Sequence, residues 1–481
     1  MRYGILLLLF ATTLYADESA TMILHNGRIV TVDRSFSIQQ AIAIRGERIL
    51  KVGTDEDVMK LKGKTTKLID LKGKMVLPGL IDSHTHPSGA SMHEWDHPVP
   101  QMDSIADVLQ YIKGRTKVVP KGKWIIVRQV FITRLKEQRY PTKAELDSVA
   151  PNHPVLYSTG PDASVNSLAL DRSGIDKNFK VDDGGSGYIE KDPKTGEPTG
   201  ILRSCTRYVK ASSSGRKATE LDRLERLMLL FKDYNSVGLT AVIDRNSGSS
   251  AIRRFQKLHD TKKLTVRMGI SHGMGTRSPT EKVLKSVERI AKHPLCKGGP
   301  MLRIVGIKTF LDGGMLTGSA YMRKPWGVSS IYSITDPKYR GLRYIPKKKL
   351  YEIVKKTVEC GLQFTAHSVG DGAVHALIEA YEEVNKTTPV RKTRPCLTHS
   401  NFMSKEAIEK CAKIGIVADI QPAWLYLDAR TLSKQFGEKR LRYFQPLKSL
   451  FKAKVIVGGG SDHMQKIGSL RSVNPYNPFL G

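Results

Sequence analysis

Residues 76–86, VLPGLIDSHTH, combine a short apolar run with two histidines at its end, His84 and His86. The apolar run predicts a β-strand over Val76–Asp82. Residues i and i+2 of a strand face the same side, so both imidazoles can reach one metal ion. Two histidines in this spacing are common without a metal. Their position at the end of a predicted strand is what strengthens the hypothesis.

Seven further apolar segments follow along the chain, and each ends in polar or ionisable residues. Alternating strands and helices predict a parallel sheet. Eight such units predict an α/β fold of the (β/α)₈ TIM-barrel type, with active-site residues at the carboxyl ends of the strands. The further strands are predicted over Leu239–Asp244, Leu264–Ile270, Arg303–Phe310, Leu362–Ala366, Pro395–Thr398, Gly415–Ile420 and Val455–Gly459. Helices are predicted over Ala218–Val237, Pro279–Lys292, Pro346–Cys360, Ala373–Asn385 and Lys405–Ile414.

The ends of these strands supply four more candidate metal ligands. Lys308, His367, His399 and Asp462 lie at or near the ends of the fourth, fifth, sixth and eighth predicted strands. Nitrogen and carboxylate ligands suit Zn²⁺, with Mn²⁺, Fe²⁺ and Co²⁺ as alternatives. Each residue alone also has a structural explanation, because a buried lysine is usually ion-paired and a strand-end histidine is often only hydrogen-bonded. Together with the two histidines of residues 76–86, they predict a metal centre at the barrel mouth.

Residues 17–75 precede the barrel and predict a small antiparallel unit of short strands. Turn signals at Asn26-Gly27 and at Gly46 each separate two apolar runs, and Lys67–Val76 adds a further strand pair. The barrel then occupies residues 76–481. It contains an insertion over residues 92–216, because the gap between its first two strands is too long for a simple βα unit.

The composition is that of a globular protein. Of 481 residues, 40% are hydrophobic and 26% are charged, which excludes intrinsic disorder and collagen-like sequence. Five scattered cysteines without a Cys-x-x-Cys pair do not favour a disulfide framework or a zinc finger. The net charge of +31 predicts a basic solvated surface, with attraction to polyanions or anionic lipids as the alternative. No nucleic-acid-binding motif accompanies this charge, so no specific nucleic-acid partner is expected.

Residues 1–16 have the pattern of a secretory signal peptide. Arg2 precedes the apolar run Ile5–Phe10, and Ala16 is a small residue at the expected cleavage site. The run is too short to span a bilayer, and no later segment is predicted to be transmembrane. We therefore expect a secreted or periplasmic protein, with a buried N-terminal strand as the alternative.

Several motifs together resemble those of a known superfamily. Residues 77–86, LPGLIDSHTH, are similar to the signature of the amidohydrolase superfamily. Residues 195–200, TGEPTG, 308–313, KTFLDG, and 366–371, AHSVGD, resemble amidohydrolase family 3, a branch that includes N-substituted formamide deformylases. The resemblance extends roughly from residue 22 to the end of the chain.

The resemblance implies a metal-dependent hydrolase with a small β-sandwich domain beside the barrel, and residues 17–75 would form the N-terminal part of that domain. Lys308 stands where many members carry a carboxylated lysine that bridges two metal ions. The alternative is an ordinary lysine beside a single-metal site. The implied cofactor is one or two divalent ions, first of all Zn²⁺. The remaining implied ligands are His84, His86, His367, His399 and Asp462.

The implied reaction is hydrolysis of a carbon–nitrogen bond in a small non-peptide amide, formamide or cyclic amide by a metal-activated water. Asp462 is the implied general base, and His399 or His367 would stabilise the tetrahedral oxyanion. Three alternatives stay open. They are a deaminase, esterase or phosphotriesterase on the same barrel, a truncated and inactive relative, and a binder of polyanions.

Two features depart from the family pattern. Residues 158–167, STGPDASVNS, lack a histidine that many relatives carry shortly before the Asn-Ser pair. Relatives also continue past the point that corresponds to Gly481 and return to complete the β-sandwich. We therefore expect an incomplete sandwich with unpaired strand edges, and a last barrel strand without its covering helix.

Overall fold

The computed structural model describes residues 19–472 and 474–479. The predicted signal peptide, residues 1–16, lies outside the described residues. The chain divides into two compact units, one reaching to Gly79 and the other beginning at Leu80. None of the helices in the described part of the chain is long and apolar enough to cross a membrane.

The N-terminal unit contains two small sheets. The first has the strand order β5-β4-β1-β6 and the second the order β3-β2-β7. Ile23, Ala43 and Val58 form the centre of its core, each fully buried. The elements are β1 (Ala20–His25), β2 (Arg28–Val30), β3 (Ile38–Gln39), β4 (Ala41–Arg45), β5 (Arg48–Gly53), α1 (Asp55–Met59), β6 (Lys62–Asp70) and β7 (Met75–Val76).

The prediction of a purely antiparallel unit is wrong in two pairings. Strands β1 and β6 pair in parallel, and so do β2 and β7. The chain therefore changes sheets at Asn26-Gly27 instead of closing a hairpin there. Asn26 is held in this turn by distant partners, since its backbone N–H donates to Asp55 (2.8 Å) and its side-chain amide to Asp70 (2.9 Å). The turn at Gly46 does join an antiparallel pair, β4 and β5, as predicted.

In the sequence, the segment between the first two barrel strands forms a mixed five-stranded sheet. Its order is β12-β13-β11-β10-β9, and only β9 and β10 pair in parallel. The first barrel strand is β8 (Leu80–Thr85). The elements that follow it are α2 (Pro87–Ala90), α3 (Ile105–Thr116), β9 (Ile125–Arg128), α4 (Lys143–Val149), β10 (Val155–Ser158), β11 (Ala163–Val165), α5 (Ser167–Ser173), β12 (Tyr188–Lys191) and β13 (Pro198–Arg203).

The barrel is an eight-stranded parallel sheet in which strands adjacent in sequence are adjacent in space. Its order is β8-β14-β15-β16-β17-β18-β19-β20. The remaining strands are β14 (Leu239–Ser247), β15 (Arg267–Gly273), β16 (Leu302–Phe310), β17 (Gln363–Ser368), β18 (Cys396–His399), β19 (Val417–Ile420) and β20 (Val457–Gly459). The helices are α6 (Glu220–Ser236), α7 (Ser249–Asp260), α8 (Thr280–Ala291), α9 (Lys347–Glu359), α10 (Asp371–Asn385), α11 (Lys405–Ile414), α12 (Ala423–Leu441) and α13 (Leu447–Lys452).

All eight predicted barrel strands are confirmed, and the first begins later than expected. It starts at Leu80, because Val76 pairs instead with Ile29 of β2 and Pro78-Gly79 interrupt the run. The five predicted helices are confirmed to within two residues. Phe364 and Leu397 on the barrel strands share one buried cluster with Val354 of α9 and Leu377 of α10. Burial of such side chains contributes about 1.5–3 kcal/mol each.

The ends of β8 and β20 meet and nearly close the barrel. Thr85 and His463 form an isolated parallel bridge. The backbone N–H of Asp462 donates to the carbonyl of His84 at 2.8 Å. Gly460 is required at this junction, because a Cβ there would lie 2.5 Å from the Cβ of His84. The close approach brings the histidines of β8 beside the aspartate that follows β20.

Candidate metal centre

Three of the predicted ligands, which we call the ligand triad, converge at the junction of β8 and β20. They are His84, His86 and Asp462, and their ligand atoms all lie within 4.8 Å of one another. Oδ1 of Asp462 is 3.4 Å from Nε2 of His84 and 3.1 Å from Nε2 of His86. His84 and Asp462 are buried, while the His86 side chain is 24% exposed.

Two atoms of the ligand triad are buried without hydrogen-bond partners. They are Nε2 of His84 and Oδ1 of Asp462. Nearly all buried polar atoms in proteins are paired, so two adjacent exceptions call for an explanation. Imidazole nitrogens and a carboxylate oxygen are ligands that divalent transition metals accept. The residues present therefore fit a divalent cation.

His84 is oriented by a buried aspartate, Asp419, that lies within the seventh barrel strand, β19. Its Nδ1 lies 3.0 Å from Oδ2 of Asp419, which places the proton on Nδ1 and leaves the lone pair of Nε2 for the centre. Asp419 also accepts a hydrogen bond from the Ser83 hydroxyl (2.7 Å) and lies 3.3 Å from Nε of Arg245. Burial alone would raise the pKa of Asp419, but Arg245 and His84 hold it below its usual value.

The two histidines of the triad have opposite protonation tendencies. Complete burial lowers the pKa of His84. Burial acts in the same direction on His86, but its contacts with Asp244 and Asp462 more than offset that effect and raise its pKa to about 9. Nδ1 of His86 lies 3.8 Å from Oδ1 of Asp244. Asp462 stays ionised near neutral pH, because His84 and His86 outweigh the effect of burial and lower its pKa.

His367, His399 and Lys308, which we call the second group, lie on β16–β18 or at the end of these strands. The ring centroid of His399 is 4.8 Å from that of His84 and 4.5 Å from that of His367. Nδ1 of His399 lies 2.7 Å from Oε1 of Gln421, and Nε2 of His367 lies 3.2 Å from the carbonyl of Gly313. One ring nitrogen of each histidine is thus used by the protein.

Burial keeps the two histidines of the second group uncharged and shifts Lys308 toward its neutral form. It lowers the pKa of His367 to about 3 and that of His399 well below the usual value. It also lowers the pKa of Lys308 to about 8. Among the described residues, no ion pair involves Lys308, whose Nζ lies 5.4 Å from the centroid of the Phe310 ring. A neutral amine is the form of lysine that can take up CO₂.

Backbone strain accompanies two of these residues. His399 and Asp462 have φ angles of 73° and 53°, in the left-handed region that side chains with a Cβ rarely adopt. Such strain persists where the surrounding structure over-determines the conformation, and it is found preferentially at functional sites. His399 is the last residue of β18, and Asp462 follows β20 by three residues.

Sequence reasoning did not single out the partners that orient these side chains. Asp244 and Asp419 lie within predicted barrel strands, and Gln421 follows one directly. Asp419 is fully buried and Asp244 is 3% exposed. Acidic residues at the ends of predicted parallel strands were the available signal, because those ends meet at one face of the barrel.

Comparison with known proteins identifies the family. A family model described as "Amidohydrolase family" matches residues 67–478. The N-substituted formamide deformylase of Arthrobacter pascens is 28% identical over 91% of this chain and 80% of its own length. The exoenzymes regulatory protein AepA of Pectobacterium carotovorum subsp. carotovorum is 24% identical over 88% of this chain and 90% of its own.

A solved structure has the same fold. It is an uncharacterized metal-dependent hydrolase from Pyrococcus horikoshii, with a TM-score of 0.64 and 21% identity over 95% of this chain and 84% of its own. At this identity the likeness concerns the fold alone. The family match covers most of the chain, including the strands that carry the ligand triad and the second group. The chain belongs to the amidohydrolase family, in its family 3 branch.

Proposed function

We propose that this protein is a divalent-metal hydrolase that cleaves carbon–nitrogen bonds in small non-peptide amides, formamides or cyclic amides. The observation that carries the proposal is the ligand triad, with two buried ligand atoms that make no hydrogen bond, at the mouth of a parallel barrel. The choice of a carbon–nitrogen bond is supported by the relative named as an N-substituted formamide deformylase. A small-molecule substrate follows from the same proposal.

His84, His86 and Asp462 would hold the first ion, and their nitrogen and oxygen donors favour Zn²⁺. When bound, a divalent cation supplies Lewis-acid polarisation of the carbonyl and lowers the pKa of a water molecule. Asp419 fixes the ring of His84 so that its Nε2 faces Asp462.

Asp462 is the general base of the proposed reaction. Its lowered pKa keeps it ionised, so it can accept a proton as the water oxygen forms a bond to the carbonyl carbon. The same carboxyl group then donates that proton to the departing nitrogen as the carbon–nitrogen bond breaks. We assign His399 the role of a metal ligand. Its Nδ1–H donates to Gln421, and its Nε2 carries a lone pair instead of a proton, so the ring has no N–H left to donate to an oxyanion.

The second group would hold a second ion if Lys308 is carboxylated. Burial favours the neutral amine that carboxylation requires, since it lowers the lysine pKa to about 8. His399 and His367 each keep one ring nitrogen outside the protein's hydrogen bonds. A single-metal centre with an ordinary Lys308 is the alternative.

The test is turnover and metal content measured on the same preparation. Zinc-loaded protein is assayed with N-substituted formamides, linear amides and cyclic amides, and separately with esters and phosphotriesters. We expect release of amine from at least one amide class and loss of turnover on chelation. A zinc-bound protein that hydrolyses only esters or phosphotriesters would overturn the bond assignment, and one without any turnover would support an inactive relative.

We further propose that the protein is exported. Its support is the sequence pattern of residues 1–16. N-terminal sequencing of protein from the envelope or the medium should find a terminus near Ala16. An intact Met1 on protein that stays in the cytoplasm would contradict export.

A further inference from the structure

The barrel unit contains a cavity of about 740 Å³ that the metal centre does not account for. Its walls come from the segment after β9, from α12 and from the loop after Asp462. None of the six residues of the ligand triad and the second group lines it. Its volume falls within the range of small-molecule sites.

The lining of this cavity is strongly basic. Seven of the side chains that line it are lysine or arginine, and one, Asp103, is acidic. Two of the seven have carboxylate partners, since Arg134 pairs with Asp428 at 3.0 Å and Arg471 pairs with Glu94 at 2.9 Å. The other five form no ion pair within the described residues. This excess of positive charge favours an anionic ligand.

Lys466 distinguishes this cavity from an ordinary basic surface. It is only 6% exposed, whereas Arg128 and the other three unpaired basic residues are exposed. Glu94, the acid that acts most strongly on Lys466, is already paired with Arg471. Burial lowers the pKa of Lys466, as expected for an ammonium group removed from water. The largely buried side chain holds its ammonium group in place without an ion-pair partner among the described residues, and a bound anion would stabilise that charge.

The loop that carries Lys466 is fixed in place. Nε2 of His463 lies 2.8 Å from the carbonyl oxygen of Lys466, and Nδ1 of the same ring lies 2.8 Å from the hydroxyl oxygen of Tyr234. The side chain of Gln465 donates to the carbonyl of Gln129 at 2.8 Å. These bonds hold one wall of the cavity against another, so the site is formed before any ligand binds.

We propose that this cavity binds the carboxylate or phosphate group of a small molecule, with Lys466 as the buried cation and Arg128 as a cation at the rim. Both oxyanions accept charge-assisted hydrogen bonds from ammonium and guanidinium groups. The inference does not depend on the reaction proposed above. The anion belongs either to the substrate or to a separate ligand, and the experiment distinguishes the two.

The experiment is calorimetric titration of the metal-loaded protein with inorganic phosphate and with succinate, at an ionic strength held constant with sodium chloride. We compare the unaltered protein with Lys466→Met and Arg128→Gln. Lys405→Met is the matched control, because this lysine is exposed on α11 outside the cavity. We expect one equivalent of at least one anion to bind. Lys466→Met should weaken binding by about tenfold or more, Arg128→Gln by a few fold, and Lys405→Met not at all.

Three results would overturn the proposal. They are no saturable binding of either anion, equal affinities in all variants, or binding that His84→Asn abolishes and Lys466→Met leaves intact. If Lys466→Met does not fold, Arg128→Gln decides, since that residue is on the surface. A KM that rises in Lys466→Met only for carboxylated or phosphorylated amides would assign the anion to the substrate. An unchanged KM with weakened titration would assign it to a separate ligand.

Discussion

The two sides of the barrel mouth present similar side chains in different states. On the side of β8 and β20, the ligand triad has two buried atoms that make no hydrogen bond. On the side of β16–β18, the histidines of the second group already use one ring nitrogen each, on Gln421 and on Gly313. The triad is therefore prepared to receive a cation, whereas the second group depends on a chemical change at Lys308. We expect the triad to bind the first and tighter ion.

The largest expected effect is the loss of His84. His84→Asn should remove bound metal and lower turnover by about 10³-fold or more, because the triad loses its most buried ligand. Metal content is measured by plasma mass spectrometry alongside the assay. His259→Asn is the control, since this histidine is exposed and its side chain pairs with Asp260 at 3.2 Å, away from the ligand triad. Equal metal content in both variants would contradict the claim that the ligand triad binds the first and tighter ion.

Asp462 should separate metal binding from chemistry. Asp462→Asn should keep most of the metal, because the two histidines remain, and should lower turnover by about 10²–10⁴-fold, because an amide cannot accept the proton of water. Metal content and the rate constant at saturating substrate are measured for Asp462→Asn and for the unaltered protein. A variant that retains both metal and full turnover would remove Asp462 from the role of base.

Replacement of Lys308 tests the second group directly. Lys308→Ala should lower turnover by about 10²-fold and reduce the bound metal from two ions to one, with partial recovery in added short carboxylic acid. The ratio of metal to protein is measured with and without propionate. If the unaltered protein holds one ion and Lys308→Ala changes nothing, the single-metal version replaces the binuclear one.

Asp419 should give the smallest effect of the four. Asp419→Asn removes the charge that orients His84 and leaves Arg245 without its buried carboxylate partner. We expect metal affinity to fall by about 10–100-fold, with little change in turnover once metal is saturating. A competition titration against a chelator of known affinity measures the change. Asp260→Asn is the matched control, and an equal affinity in both variants would contradict a positioning role for Asp419.

The barrel was predictable because each strand carries its own local signal. Apolar runs that end in ionisable residues located all eight strands and, with them, His84, His367, His399 and Asp462. The N-terminal unit was less predictable, because the choice between a hairpin and a change of sheet at Asn26-Gly27 depends on Asp55 and Asp70. Contacts between residues so far apart in the sequence cannot be predicted from the local pattern of residues.

The orienting partners of the site were missed for a similar reason. Asp419 lies inside a segment that was assigned only as a strand, and its role follows from a contact with His84 across 335 residues of chain. Lys466 gave no signal in a sequence with 77 basic residues, because its burial depends on the loop fixed by His463. Tertiary contacts, and not residue type, separate these two residues from others of their kind.

The most direct test of the central claim is a crystal of the zinc-loaded protein examined by anomalous scattering at the zinc edge. We predict a peak at about 2.0–2.2 Å from Nε2 of His84, from Nε2 of His86 and from a carboxylate oxygen of Asp462. A second, weaker peak on the side of Lys308 would establish the binuclear form. Zinc bound elsewhere in the crystal with no peak at the ligand triad would contradict the account.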